Sequence, residues 1–105
     1  MNTLEKGQVR VLIYRDNAEG VWYGSALEFN LTIDGTDKDE VLFELNHAIT
    51  EYVRSAQEIG AAELLNQDVD QELDALWNAC INNEERVIDS PYTSHFAGRE
   101  SLQYA

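Results

Sequence analysis

The sequence predicts an α+β fold: a three-stranded antiparallel meander, a long amphipathic helix packed on it, and a second helix nearer the C-terminus. Three observations carry this expectation. Period-two alternation of apolar residues occupies residues 8–34, a helix-capping sequence stands at Gly35-Thr36-Asp37-Lys38-Asp39-Glu40, and apolar residues thereafter recur at spacings of three and four. With 105 residues, 44% of them apolar, the chain has material for one core and therefore one domain. Within it, residues 8–58 are read as the body, 61–82 as a helical extension and 83–105 as an irregular tail.

The first strand is expected from Gln8 to Arg15, with Val9, Val11 and Ile13 forming its apolar face. Asp16-Asn17-Ala18-Glu19-Gly20 is a turn cluster, and Gly20 supplies the residue that tolerates positive φ. Val21 to Glu28 reads as the second strand, completing a hairpin. Phe29, Leu31 and Ile33 alternate with Asn30, Thr32 and Asp34 in a third. Gly35 ends that strand, and Thr36 is expected to cap the long helix by accepting from the Asp39 amide. Asp37, Asp39 and Glu40 place negative charge where the helix dipole is positive.

In the helix itself, Val41, Leu42, Leu45, Ala48, Ile49, Tyr52, Val53 and Ala56 fall within about 140° of arc. Gly60 is the expected C-terminal stop. Ala61 to Leu65 is read as a separate helical turn. Val69, Leu73, Leu76, Trp77, Cys80 and Ile81 then mark a second helix beginning near Asp68 and completing the core. Beyond Asn82 the pattern fades through Asn83-Glu84-Glu85, and Val87-Ile88 is too short to assign as a strand. Phe96, Leu102 and Tyr104 in the tail show no periodicity; they suggest a segment that orders on binding.

Charge narrows the function. Twenty acidic residues against seven basic ones give a net charge of −13 and a pI near 4.2. Phosphate-dominated nucleic-acid binding and docking on anionic membranes both need the opposite sign. A soluble chain with a basic partner fits it. Cys80 is the only cysteine, which excludes an intrachain disulfide. Residues 1–7 form no apolar leader, and Asn30-Leu31-Thr32 is read as a chance sequon, so a reducing cytoplasm is expected.

The order strand, strand, strand, capped helix resembles the HicB-like antitoxin family over residues 8–58. The matching residues are Tyr14 at a strand end, Gly20-Val21-Trp22-Tyr23 after an acidic loop, and Gly35-Thr36-Asp37-Lys38-Asp39-Glu40-Val41 leading into Leu45, Ala48, Ile49 and Tyr52. Val41 stands where the family usually has Ala, and the family's Pro-containing stretch before this motif is missing. The resemblance implies a degraded ribonuclease-H-like fold without nuclease chemistry. It also implies self-association into a homodimer or larger assembly, and neutralisation of a small basic HicA-type RNA-cleaving toxin. Many members add a C-terminal DNA-binding element. Here the second helix carries Asp68, Asp70, Glu72 and Asp74 with no Lys or Arg, a poor occupant of a major groove.

The remaining constellations fit ordinary packing or solvated surface. Asp16, Glu28 and Asp34 at strand ends are the acids a residual metal-dependent nuclease would need; they read better as solvated turn acids. His47 between Glu44 and Glu51 reads as an exposed helix-face histidine, and His95 has no acidic neighbour in sequence. Gly20, Gly24 and Gly35 are too dispersed for a phosphate loop, and Trp22, Tyr23 and Phe29 lack the basic groove of a base-stacking platform. Neither a catalytic triad nor a cofactor motif is present in the sequence. The candidate partner-binding residues are Asp37, Glu40, Glu44 and Glu51 on the long helix. The first strand, with Arg10 and Arg15 as its only charges, is expected at a sheet edge and offers a dimerisation surface. The expected function is therefore a non-enzymatic antitoxin-type protein that occludes a small basic toxin. The alternative is a stand-alone homo-oligomeric scaffold or small-ligand binding module.

Overall fold

The computed structural model describes residues 1–82 and 91–103. Its architecture is α+β: a four-stranded antiparallel sheet with one helix on each face. The strands are β1 (Lys6–Asp16), β2 (Val21–Ala26), β3 (Leu31–Gly35) and β4 (Tyr92–Gln103), in spatial order β3-β2-β1-β4. The helices are α1 (Lys38–Ile59) and α2 (Gln71–Ile81).

The β1–β2–β3 meander forms as its turn chemistry requires. Asp16 Oδ1 accepts from the amides of Ala18 (2.9 Å) and Glu19 (3.2 Å), and Gly20 closes the loop at φ 73°. Between β2 and β3 a 3-10 turn, Leu27–Phe29, ends at Asn30 with φ 52°. Phe29 therefore belongs to this turn rather than to the third strand. The left-handed Asn30 lets the chain reverse, and Phe29 is buried beneath α1.

Helix α1 is capped one residue later than expected. Asp37, not Thr36, is the N-cap, and its carboxylate accepts from the Glu40 amide at 3.1 Å. Gly60 ends the helix at φ 76°, where a side chain would be strained. The 3-10 turn Ala62–Leu65 stands where a separate helical turn is expected. Helix α2 starts at Gln71 rather than near Asp68, because Asp70 accepts from the amides of Glu72 and Leu73.

Two features differ more deeply. Strand β1 is central, not an edge, because β4 pairs along its other side from Lys6↔Gln103 to Asp16↔Tyr92. Residues 92–103 are thus a strand and not an irregular tail. Asn83-Glu84-Glu85, Val87-Ile88 and Tyr104 lie outside the described residues.

The second difference is that α2 does not complete the first core but builds another. Val9, Val11 and Ile13 of β1 pack with Phe29 and with Val41, Leu45, Ile49 and Val53 of α1. Leu12 and Tyr14 point the other way, onto Leu76 and Trp77 of α2. Strand β1 is buried on both faces, as a central strand between two helices must be. Helix α1 comes close to the sheet at Gly24, where a Cβ would lie 2.8 Å from Val41 Cγ1 and 3.2 Å from Leu45 Cδ2. None of the helices among the described residues is long and apolar enough to cross a membrane.

Candidate functional site

Asp37, Glu40, Glu44 and Glu51 are all exposed on α1. At 100° per residue the four share one flank of the helix, with Asp37 held at its N-terminus as the cap. Glu51 bonds Arg54 at 3.0 Å, with both side chains more than half exposed. Glu40 and Glu44 project into solvent between them. An exposed flank of this kind steers an oppositely charged partner over a Debye length.

The acids that a metal-dependent nuclease would need are dispersed. Asp16 braces the hairpin turn, and Asp34 sits in β3 opposite Tyr23 of β2. Glu28 is engaged with Arg10: its Oε1 accepts from the Arg10 amide at 2.8 Å and its Oε2 from Nε at 2.6 Å. Among the described residues, no three His, Cys, Asp or Glu side chains come together in a way that could hold a metal ion. His47 is exposed. His95 stands at an irregularity in the β1–β4 pairing and packs tilted against Trp22, centroids 4.5 Å apart and ring planes at 57°. Desolvation, helped by Lys38 and Arg15, lowers its pKa and favours the neutral ring.

Arg10 is the polar centre of the α2 face. Its Nη1 donates to Asp74 of α2 at 2.9 Å, and its guanidinium lies 5.5 Å from the Trp77 ring. Arg99 of β4 lies 5.3 Å from the same ring. Burial opposes the charge on Arg10, but the bonds to Glu28 and Asp74 outweigh it and raise its pKa overall. A cavity of about 620 Å³ opens beside this group, with Lys6, Gln8, Arg10, Glu28 and Arg99 in its wall. Further along the same face, Tyr14 stacks on Tyr23 at 5.4 Å, and its hydroxyl is 3.0 Å from Ser25 Oγ. Trp22 lies on the opposite face of β2, so the strand's aromatics pack on two sides and form no continuous platform.

The feature that sequence reasoning missed lies on the α1 face. Helix α1 packs on β2 and β3 and over the apolar face of β1, and among the described residues no helix lies above β4 on that side. A groove runs there, walled by Leu42, Ile49 and Val53 of α1 and floored by Phe96, Gly98, Glu100 and Leu102 of β4. It comprises two hollows of about 230 and 310 Å³, and Glu100 lines both. Glu100 Oε2 is buried and, among the described residues, has no hydrogen-bond partner. Burial raises the pKa of this carboxyl. Phe96 folds over Gly98 and remains 46% exposed. The signal in the sequence is the alternation Phe96, Gly98, Glu100, Leu102, but with a glycine and an acid in it the pattern does not read as a buried strand face. The four acids predicted as the site lie on the flank of α1 facing away from this groove.

Comparison with known protein families, with curated proteins and with solved structures finds no match for this chain.

Proposed function

We propose that this chain is a non-enzymatic, HicB-like antitoxin-type protein that binds and occludes a small basic RNA-cleaving toxin. The observation that carries the reading is the net charge of −13, expressed on an exposed helix flank of Asp37, Glu40, Glu44 and Glu51. Such a surface accelerates encounter with a cationic protein, while short-range packing supplies the affinity. The element order over residues 8–58, three antiparallel strands followed by a capped helix, supports the same reading. So does the employment of Glu28 and Asp16 in structural contacts, which takes them away from any shared metal-binding role.

A second reading, a homo-oligomeric scaffold without a toxin, is favoured by one observation. Strand β4 is twelve residues long, and among the described residues only β1 pairs with it.

The test is to express the product of each adjacent gene and assay any small basic one for RNA cleavage while titrating it with the chain. Cleavage is expected to stop at stoichiometric amounts of chain. Replacing Glu40, Glu44 and Glu51 together by Gln is expected to slow association, more at low salt than at high. Cleavage that continues at any ratio overturns the proposal.

A further inference from the structure

Helix α2 covers only one end of its face of the sheet. Leu12 and Tyr14 of β1 lie under Leu76 and Trp77. Strand alternation puts Gln8 and Arg10 on the same side as Leu12, and the pairing sets Ser101 opposite Gln8 and Arg99 opposite Arg10. Asp74 and Trp77 reach the Arg10–Arg99 row. Beyond that row opens the cavity of about 620 Å³, and among the described residues no part of α2 lines it. The volume lies within the range of small-molecule sites, about 300–1,000 Å³.

The wall of this cavity reverses the charge of the chain. Among the described residues it holds three of the seven Lys and Arg residues, Lys6, Arg10 and Arg99, against one of the twenty acids, Glu28. Glu28 is engaged by Arg10, which also bonds Asp74. Lys6 and Arg99 are left in excess, two positive charges with no carboxylate partner among the described residues. Arg99 stands directly across from Arg10, and like charges so placed repel. The Trp77 ring, 5.3 Å from the Arg99 guanidinium, offsets part of that repulsion but accepts none of its in-plane N–H groups. The side chains of Gln8 and Ser101, the next cross-strand pair, likewise make no hydrogen bond among the described residues. Neighbours on one face of paired strands lie within about 5–8 Å, so four unengaged donors, on Lys6, Gln8, Arg99 and Ser101, border one space. Its rim is fixed: Asn2 and Asn66 exchange hydrogen bonds of 2.7 and 2.8 Å, and Asn2 Oδ1 accepts from the Gln8 amide at 2.7 Å.

We propose that this cavity binds a small ligand bearing a phosphate dianion, with Arg99 and Lys6 supplying the charge and Gln8 and Ser101 completing the donor set. Arg99 offers two parallel N–H groups that match two phosphate oxygens. The two cations in excess equal the charge of a phosphate monoester above its second pKa, about 6. A carboxylate brings one charge and lacks a third oxygen for the remaining donors. Nucleic acid is disfavoured, because it sets many phosphates against a chain of net charge −13, whereas a small ligand sets one. The site lies across the sheet from α1 and is independent of any toxin partner.

The test is a titration of the full, isotopically labelled chain with three probes, followed by amide and arginine Nε chemical shifts. The probes are phenyl phosphate, inorganic phosphate and the monoanionic diester diphenyl phosphate. Saturable shifts are expected at Gln8, Arg99 and Ser101, with Kd below about 1 mM at low salt for at least one of the two dianions. That dianion is expected to bind about tenfold or more tightly than the diester. Its affinity should fall about tenfold or more on Arg99→Gln, about threefold on Lys6→Gln and less than about twofold on Arg54→Gln, a cation outside the cavity. Ser101 is exposed, so Ser101→Asp should abolish binding with the fold intact, as circular dichroism checks. Phenyl phosphate binding more tightly than inorganic phosphate would place an ester in the cavity; the reverse order would assign the site to free phosphate. Overturning results are an absence of saturable shifts up to about 10 mM, equal affinity for the diester, shifts centred on another face, or affinity unchanged by Arg99→Gln or by Ser101→Asp in a folded chain.

Discussion

Removing the Arg10 side chain tests the account of how α2 is held to the sheet. Arg10→Ala takes away the 2.6 Å pair to Glu28, the 2.9 Å pair to Asp74 and the guanidinium over Trp77, and keeps the backbone bond to Glu28. The Glu28 pair, about one-fifth exposed on each side, is worth about 2 kcal/mol as a charge-assisted hydrogen bond. Asp74 is 46% exposed, so its pair contributes under about 1 kcal/mol. The contact with Trp77 adds about 0.5–1 kcal/mol. The total of about 3 kcal/mol corresponds to a fall in Tm on the order of 15 °C for a domain of this size. Urea unfolding followed by circular dichroism should show the midpoint drop with the slope unchanged. Arg10→Lys should lose roughly half as much, because one ammonium cannot serve both carboxylates in the geometry of the fork. Glu28→Gln should cost about 1.5 kcal/mol, and Asp74→Asn less than about 1 kcal/mol. The reasoning is refuted if Arg10→Ala changes stability by under about 0.5 kcal/mol, or if Asp74→Asn costs as much as Glu28→Gln.

Three further outcomes are expected. Gly24→Val should destabilise by about 1–3 kcal/mol through overpacking, since even a Cβ would meet Val41 at 2.8 Å; thermal melts check this, and a neutral result would mean α1 does not sit against β2. Asn2→Ala should cost about 2–3 kcal/mol, because the Asn2 side chain accepts from the Gln8 amide and donates to the Leu65 carbonyl, both at 2.7 Å; hydrogen exchange at Gln8 should accelerate. Glu100 governs a pH dependence: burial raises its folded-state pKa, so the folded chain binds that proton more tightly than the unfolded one. Its penalty is absent in acid, where both states are protonated. It grows as pH rises from the ordinary carboxylate range through the raised value, and Arg54, turned to Glu51, does not offset it. The stability of Glu100→Gln relative to the parent should accordingly increase across that window; a flat difference in urea midpoints would count against a buried, unpaired carboxyl.

The meander and α1 were legible because their signals are local. Asp16 to Gly20 makes a turn whatever surrounds it, and either Thr36 or Asp37 can cap a helix, which is why the helix was placed and its cap missed by one residue. Strand β4 was not legible. Its partner β1 lies about 80 or more residues away in the chain, as the pairs Val11↔Gly98 and Lys6↔Gln103 show. Its α1 face carries Gly98 and Glu100 between Phe96 and Leu102, so no apolar alternation marks it. With β4 unseen, β1 looked like an edge, although Leu12 and Tyr14 already marked a second buried face. The candidate site divides in the same way. The acids of α1 are visible as residue types, whereas Glu100 becomes notable only once pairing sets it in a groove without a partner.

The most direct measurement is the mass of the purified chain by size exclusion with light scattering, alone and after co-expression with the product of each adjacent gene. The account predicts a stable heterocomplex with a small basic protein, assembling more slowly as salt is raised. A homo-oligomer whose mass is unchanged by every neighbour would contradict it.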